Sequence, residues 1–249
     1  MRWMSLRAVA MIDLEQPDWP APASVKAFVT SRKGGVSKPP YGALNLAAHV
    51  GDERDAVEAN RALLSKKMEL PSRPVWLNQV HSNSVIQVGC GMSDLADADG
   101  SFTREVGVVL AILVADCLPV FLCSLTGKEI AVIHAGWRGL AEGVIQQGIK
   151  RFSEKELIAW IGPAIGPCHY EIDSSLRHRF PQEFLRKGRD DKHWMLDLPG
   201  IATRQLIDAG VSRIFRSELC TYCNPDRFYS FRRDGQTGRF VAVIWKERG

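Results

Sequence analysis

Short, almost unbroken apolar runs recur along this chain, at residues 25–30, 75–77, 85–88, 106–114, 119–123, 129–134, 157–161, 228–231 and 240–245. A strand with one wet face alternates polar and apolar side chains, so runs without alternation read as strands covered on both faces. The longest run, residues 106–115, is cut by Asp116. It is well short of the ~20 apolar residues a membrane helix needs and reads as a buried strand.

Helical patterns lie between the runs. Asp52 can cap a helix reaching about Met68, with Ala56, Ala59, Leu63 and Leu64 near one face and Pro71 just beyond its end. A second helix follows Arg138, where Leu140, Val144, Ile145, Ile149 and Phe152 recur at spacings of three and four. Two more are expected over residues 174–187 and 201–209, the latter ended by Gly210. No repeat, low-complexity tract or long Pro/Gly/Ser linker divides the 249 residues. The reading is therefore one α/β (α+β) domain over residues 25–249, a mixed β-sheet with flanking helices, preceded by a peripheral segment, residues 1–24.

Charge narrows the partners. The 32 basic and 28 acidic residues leave a net +4 with no run of like charges, which argues against a nucleic-acid arm or a polybasic membrane anchor and for a small-molecule partner. Arg2 and Arg7 are not followed by an apolar region and a small-residue cleavage site, so a cytoplasmic location is expected. In that setting the six cysteines read as reduced thiols: buried, metal-bound or catalytic.

Three candidate residues end strand-like runs where the chain turns: His81 in Asn-Gln-Val-His-Ser, Cys117 in Ala-Asp-Cys-Leu-Pro, and His134 in His-Ala-Gly-Trp-Arg-Gly. Side chains at strand ends converge into shared clefts. Two imidazoles and a thiolate would make a three-ligand zinc site with an open fourth position, the catalytic arrangement. The same residues also fit a buried thiol with two hydrogen-bonded histidines, or a metal-free pair in which His134 activates a Cys117 nucleophile. Arg32, beside Gly34-Gly35, and Arg138, at a strand-to-helix turn, are candidate phosphate holders. Cys220-Thr-Tyr-Cys223 has half of a zinc-site spacing without a second Cys pair and reads as structural thiols. Asp97-Ala-Asp99-Gly100 lacks the distant Glu of a calcium loop, and Gly89-Cys-Gly91 lacks the third glycine of a dinucleotide fingerprint.

Nine segments in order resemble one family, the YfiH-like proteins, named both polyphenol oxidoreductase laccases and purine nucleoside phosphorylases. They are Thr-Ser-Arg-Lys-Gly-Gly-Val-Ser (30–37), Pro-Tyr-Gly-Ala-Leu-Asn-Leu (40–46), His-Val-Gly-Asp (49–52), Trp-Leu-Asn-Gln-Val-His (76–81) and Ala-Asp-Cys-Leu-Pro-Val (115–120). The remainder are His-Ala-Gly-Trp-Arg-Gly-Leu (134–140), Ile-Gly-Pro-Ala-Ile-Gly-Pro (161–167), Cys-Thr-Tyr (220–222) and Ser-Phe-Arg-Arg-Asp (230–234). The resemblance implies a single α/β domain related to Cys-His deamidase toxins, with His81, Cys117 and His134 as zinc ligands. It also implies phosphorolysis of adenosine, inosine, guanosine and methylthioadenosine, accompanied by adenosine deaminase activity, in a monomer or homodimer. Asp116 is a candidate proton shuttle, or else an arginine partner or turn cap. A multicopper laccase needs on the order of ten imidazole ligands, and the chain has six histidines. Copper is therefore expected to replace zinc at the His2Cys site, with oxidase activity secondary; a role in cell-wall precursor quality control is a further possibility.

Overall fold

The computed structural model describes residues 11–92 and 96–248. The strands are, in chain order, β1 (Leu14–Glu15), β2 (Val25–Thr30), β3 (Val85–Gln87), β4 (Gly100–Thr103), β5 (Leu110–Val114), β6 (Leu118–Ser124) and β7 (Ile130–Ala135). They continue as β8 (Leu157–Ile161), β9 (Glu171–Asp173), β10 (Leu185–Lys187), β11 (His193–Leu196), β12 (Arg213–Arg216) and β13 (Phe240–Lys246). The helices are α1 (Arg54–Lys67), α2 (Trp137–Ala141), α3 (Val144–Ile149), α4 (Leu198–Asp208) and α5 (Phe231–Asp234).

A six-stranded sheet, ordered β12-β8-β6-β7-β4-β3, lies against a four-stranded one ordered β1-β2-β13-β5. Alternate residues of β6, β7 and β8 explain the layering. Leu118, Val120, Ile133 and Ala159 join a core with Leu140, Val144, Ile145 and Leu206 of α2, α3 and α4. Phe121, Val132, Ile158 and Trp160 point the other way, into a second core with Val29, Ile112, Val114 and Ile244 of the four-stranded sheet. The outer face of that sheet, including Phe28, Ala111 and Val243, packs with Leu44 and Leu46 of the loop after β2 and with Leu64 of α1. Both sheets are thus covered on both faces, which is why their strands lack polar alternation. No helix among the described residues is long and apolar enough to cross a membrane.

Several local expectations change. Residues 75–77 contribute one isolated bridge rather than a strand, and residues 228–231 lead into α5. The helix expected after Arg138 is divided by Gly143, whose φ of +78° sends α3 off in a new direction. Residues 174–187 are two 3-10 turns followed by β10, part of a three-stranded β10-β11-β9 sheet. Pro181 lies between the two turns and interrupts a continuous helix. Within the expected peripheral segment, residues 1–10 lie outside the described residues, whereas β1 pairs antiparallel with β2 and Arg227 forms ion pairs with Asp13 and Glu15. The structural unit therefore includes residues ahead of position 25.

The loop after β2 is held by polar groups that have no access to water. Asn60 on α1 is fully buried; its Oδ1 accepts from the Val36 N–H at 2.8 Å and its Nδ2 donates to the Asn45 carbonyl at 2.8 Å. Gly35 fits under this network because it has no Cβ: one would sit 2.3 Å from the Ala43 carbonyl oxygen and 2.5 Å from the Leu44 Cα. Those neighbours are backbone and cannot rotate away, so Gly35→Ala should cost about 2–3 kcal/mol. Thermal denaturation should register a fall in Tm of roughly 4–12 °C for a chain of this size; an unchanged Tm would refute the packing argument.

Candidate metal centre and active site

Strand register builds the site. β6 and β7 pair with Leu118 opposite Ala135 and Pro119 opposite His134, while β4 meets β7 with Gly100 opposite Ile133. Cys117, His134 and Asp99 consequently arrive at the same end of three neighbouring strands. His81 comes from the loop before β3, in a left-handed conformation with φ +60°. Its loop is fixed by Gln79, whose Nε2 donates to the Leu113 carbonyl at 2.9 Å and whose Oε1 accepts the Leu113 N–H at 2.8 Å.

One donor atom from each of His81, Cys117 and His134 lies within 4.8 Å of the others. The imidazoles meet edge to face, their centroids 4.9 Å apart. Gly136 makes this approach possible, since a Cβ there would sit 3.0 Å from Cys117 Sγ and 3.2 Å from His81 Cδ2. Buried Asp99 sets the orientation. It accepts the His81 N–H at 3.0 Å, the Ser82 N–H at 2.6 Å and the Ser82 hydroxyl at 2.9 Å, and meets His134 Nδ1 at 2.8 Å. A carboxylate on Nδ1 fixes the tautomer with Nε2 as the remaining donor, the arrangement found behind metal-bound histidines.

Electrostatics in the metal-free chain agree with this geometry. Burial raises the Cys117 thiol, but the charges and hydrogen bonds of His134 and His81 outweigh it and bring the thiol down to about 6. Burial opposes protonation of His134, yet Cys117 and Asp99 push its pKa up to about 9. Without metal the pair is thus a thiolate and an imidazolium at neutral pH. Asp99 stays ionised, because His134 and Ser82 overcome the opposing effect of burial.

These residues open onto a cavity of about 360 Å³. Arg138, Arg232 and Arg239 line it together with Trp137, Tyr170 and Phe231. Each arginine lies over one ring: Arg138 over Trp137 at 4.3 Å, Arg232 over Tyr170 at 5.0 Å and Arg239 over Phe231 at 5.7 Å. The cavity thus combines a three-donor centre, three guanidinium groups and three aromatic faces, within the ~300–1,000 Å³ typical of small-molecule sites. Sequence reasoning missed Arg232 and Arg239; the signal available for Arg232 was Ser-Phe-Arg-Arg-Asp, at the start of α5, and Arg239 lies beyond that segment, just before β13.

Of the two remaining expected site residues, Arg32 lies outside the cavity and Asp116 lies in its wall. Arg32 is absent from the cavity lining: its Nε donates to the Gly42 carbonyl and its Nη1 to the Pro225 carbonyl, both at 3.1 Å, and it lies over Tyr229. Asp116 lines the cavity, but its carboxylate accepts the Thr221 hydroxyl and the Arg232 N–H, each at 2.7 Å. α2, which contains Arg138, is only five residues long and so supplies little helix dipole at the cavity. Cys220 and Cys223, expected as structural thiols, lie beside Cys168 and His169.

Comparison with known proteins places this geometry among relatives. The family described as multi-copper polyphenol oxidoreductase laccase matches residues 26–247. The Escherichia coli protein named purine nucleoside phosphorylase YfiH is 41% identical over 244 residues, covering 94% of this chain and 99% of the relative. A Haemophilus influenzae protein named purine nucleoside phosphorylase is 39% identical over 244 residues, covering 93% and 98%. Among solved structures, a Neisseria meningitidis protein superposes with TM-score 0.88 at 37% identity over 94% of this chain and 99% of its own. YlmD from Geobacillus stearothermophilus gives 0.85 at 32% identity, covering 96% and 99%. The chain therefore belongs to the multi-copper polyphenol oxidoreductase laccase family, and has the fold of its YfiH and YlmD members.

Proposed function

We propose that this protein is a zinc-dependent purine nucleoside phosphorylase, acting on adenosine, inosine, guanosine and methylthioadenosine, with an adenosine deaminase activity in the same cavity. The observation that carries the reading is the convergence of a three-donor centre, three arginines and three aromatic rings in one cavity. Relatives named purine nucleoside phosphorylase support it.

The donor set fits zinc: two imidazoles and a thiolate, a carboxylate behind one imidazole, and the bare Gly136 backbone beside the donors. When bound, the ion supplies a Lewis-acid position with one site open to a reactant. The chain's own groups do the remainder. Arg138, Arg232 and Arg239 bring guanidinium groups suited to phosphate to the cavity, with Arg232 also donating to the Glu171 carbonyl and Arg239 Nη1 to the Thr237 and Gly238 carbonyls. Trp137, Tyr170 and Phe231 offer flat apolar faces for a purine. The two reactions use one purine seat and differ in whether phosphate attacks the ribose carbon or water attacks the base. Asp116 acts as a positioning residue, holding Thr221 and the start of α5 so that Arg232 faces the cavity. Arg32 braces the loop after β2.

A metal-free cysteine hydrolase remains the second reading, because a thiolate–imidazolium pair is also the resting state of a cysteine nucleophile. The third donor, His81, favours ligation. Copper at the same three donors would give the laccase-like alternative.

Base release from inosine should require phosphate, and adenosine should yield inosine without it; metal-loaded protein that turns over neither nucleoside overturns the proposal. Chelation should abolish both activities and expose Cys117 to alkylation. Rapid alkylation of the active, metal-replete enzyme would favour the hydrolase instead. Arg138→Ala should raise the phosphate KM about 10- to 100-fold, the loss of one charged hydrogen-bonding group, with a smaller change for the nucleoside.

Metal affinity should follow the proton balance. Between about pH 6 and about pH 9 the metal-free site holds a Cys117 thiolate and an extra proton on His134, and ligation expels that proton. Affinity should rise about tenfold per pH unit across this window and level off above it, with about one proton released per ion. Titration calorimetry in buffers of different ionisation enthalpy measures that release. Asp99→Asn, which removes the charge behind His134, should weaken metal binding by about 10- to 100-fold.

A further inference from the structure

A second donor cluster lies outside the cavity. The loop after β8 and the loop after β12 run side by side: Ala164 bridges Cys220, and the Thr221 N–H donates to the Ala164 carbonyl at 3.0 Å. This pairing gathers Cys168, His169, Cys220 and Cys223, with one donor atom of each within 4.8 Å of the others. Cys168 Sγ is 3.8 Å from Cys220 Sγ and 3.7 Å from Cys223 Sγ. His169 Nδ1 lies 3.2 Å from Cys168 Sγ and 3.3 Å from Cys223 Sγ.

Those separations have a geometric meaning. Tetrahedral zinc with Zn–S of ~2.3 Å and Zn–N of ~2.0 Å places sulfurs ~3.8 Å apart and sulfur ~3.5 Å from nitrogen. Four of the six donor–donor separations are within about 0.3 Å of the edges of such a tetrahedron, the other two lie within 4.8 Å, and all three thiols are free. The surroundings add support from two sides. The Gly166 N–H donates to Cys220 Sγ at 3.2 Å, the kind of bond that steadies a ligating thiolate. The His169 ring stacks on Tyr222 at 4.0 Å with 14° between planes, which fixes its orientation.

We propose that Cys168, His169, Cys220 and Cys223 form a second metal site, a closed Cys3His centre for a thiophilic divalent cation such as zinc. With four protein donors it has no position open to a reactant, so its role is structural. Its place in the fold says what it steadies. Thr221 lies between the two ligands of the Cys220 loop and donates to Asp116 at the cavity wall, while Arg233 donates to the Thr221 and Tyr222 carbonyls at 2.8 and 2.9 Å. A metal here ties the two loops together behind the wall that carries Asp116 and α5.

The test uses the full chain carrying His81→Ala and Cys117→Ser, which removes the cavity centre and leaves the second cluster alone. Prepared under reducing conditions, it should retain about one zinc per chain, against about two for the parent. Cobalt in its place should show sulfur-to-metal charge transfer for three thiolates and the visible bands of a tetrahedral ion. Zinc should also protect Cys168, Cys220 and Cys223 from alkylation in this protein. Adding Cys168→Ser and Cys223→Ser should abolish the cobalt spectrum. Where those further variants do not fold, cobalt titration and alkylation of the folded His81→Ala/Cys117→Ser protein decide the matter. The proposal is overturned if that protein binds no zinc or cobalt after reduction, if cobalt binds without thiolate bands, or if the cysteines form a disulfide that reduction does not convert into a metal-binding set.

Discussion

A carboxylate with no exposure to solvent must find partners for its charge, and Asp99 finds them in the residues that make the site. Its oxygens take the backbone N–H groups of His81 and Ser82, the Ser82 hydroxyl and the His134 ring. The main chain completes the arrangement, the Asp99 carbonyl accepting the His134 N–H at 2.6 Å. One buried charge therefore settles the bend that delivers His81 and the tautomer that leaves His134 Nε2 for Cys117. Replacing it by an apolar group would empty the centre of a bonded network, and the donors around it would be left unsatisfied.

Asp116 solves a different problem, the passage of the chain from one sheet to the other. β5 belongs to the four-stranded sheet and β6 to the six-stranded one, and only Ala115, Asp116 and Cys117 join them. The turn places Asp116 at φ +86°, a left-handed conformation that Asp tolerates better than most residues. Its carbonyl accepts from Ile165, and its carboxylate accepts from Thr221 and Arg232. The bonds that hold the turn also bring the loops after β8 and β12, together with α5, to the cavity. Cys117 is positioned by this crossover as much as by its own strand.

The parts of this architecture legible in sequence are those governed by local periodicity and covering. The runs that became β2, β6, β7, β8 and β13 could be read because both sheets are covered on both faces, which erases polar alternation. His81, Cys117 and His134 were legible as ligand-type residues at strand ends, and the register of β6 with β7 explains their meeting. Residues that depend on distant pairing were not. Residues 174–187 have helical spacing, but Pro181 and pairing between strands distant in sequence select turns and β10. Arg32, at the mouth of β2, has the right chemistry but lies outside the cavity against the Gly42 and Pro225 carbonyls, whereas Arg232 on α5 and Arg239 just before β13 line it. Cys220 and Cys223 looked incomplete because their neighbours, Cys168 and His169, lie over fifty residues away and do not form a Cys-x-x-Cys pair.

The distribution of histidines constrains what the family description can mean here. Only His81 and His134 reach the cavity centre; His49 lines the cavity apart from the three-donor group, and His169 sits with three cysteines. His178 is exposed, and His193 is bonded to Asp190. A multinuclear copper cluster needs several imidazoles at contact distance of one another, and the placement of these six provides two. Reducing dioxygen to water takes more electrons than a single ion can store between its common oxidation states. Copper bound by His81, Cys117 and His134 would therefore have to pass electrons singly and meet oxygen more than once. A thiolate and two imidazoles beside three arginines instead favour chemistry in which the metal keeps its charge and the cavity stabilises an anion.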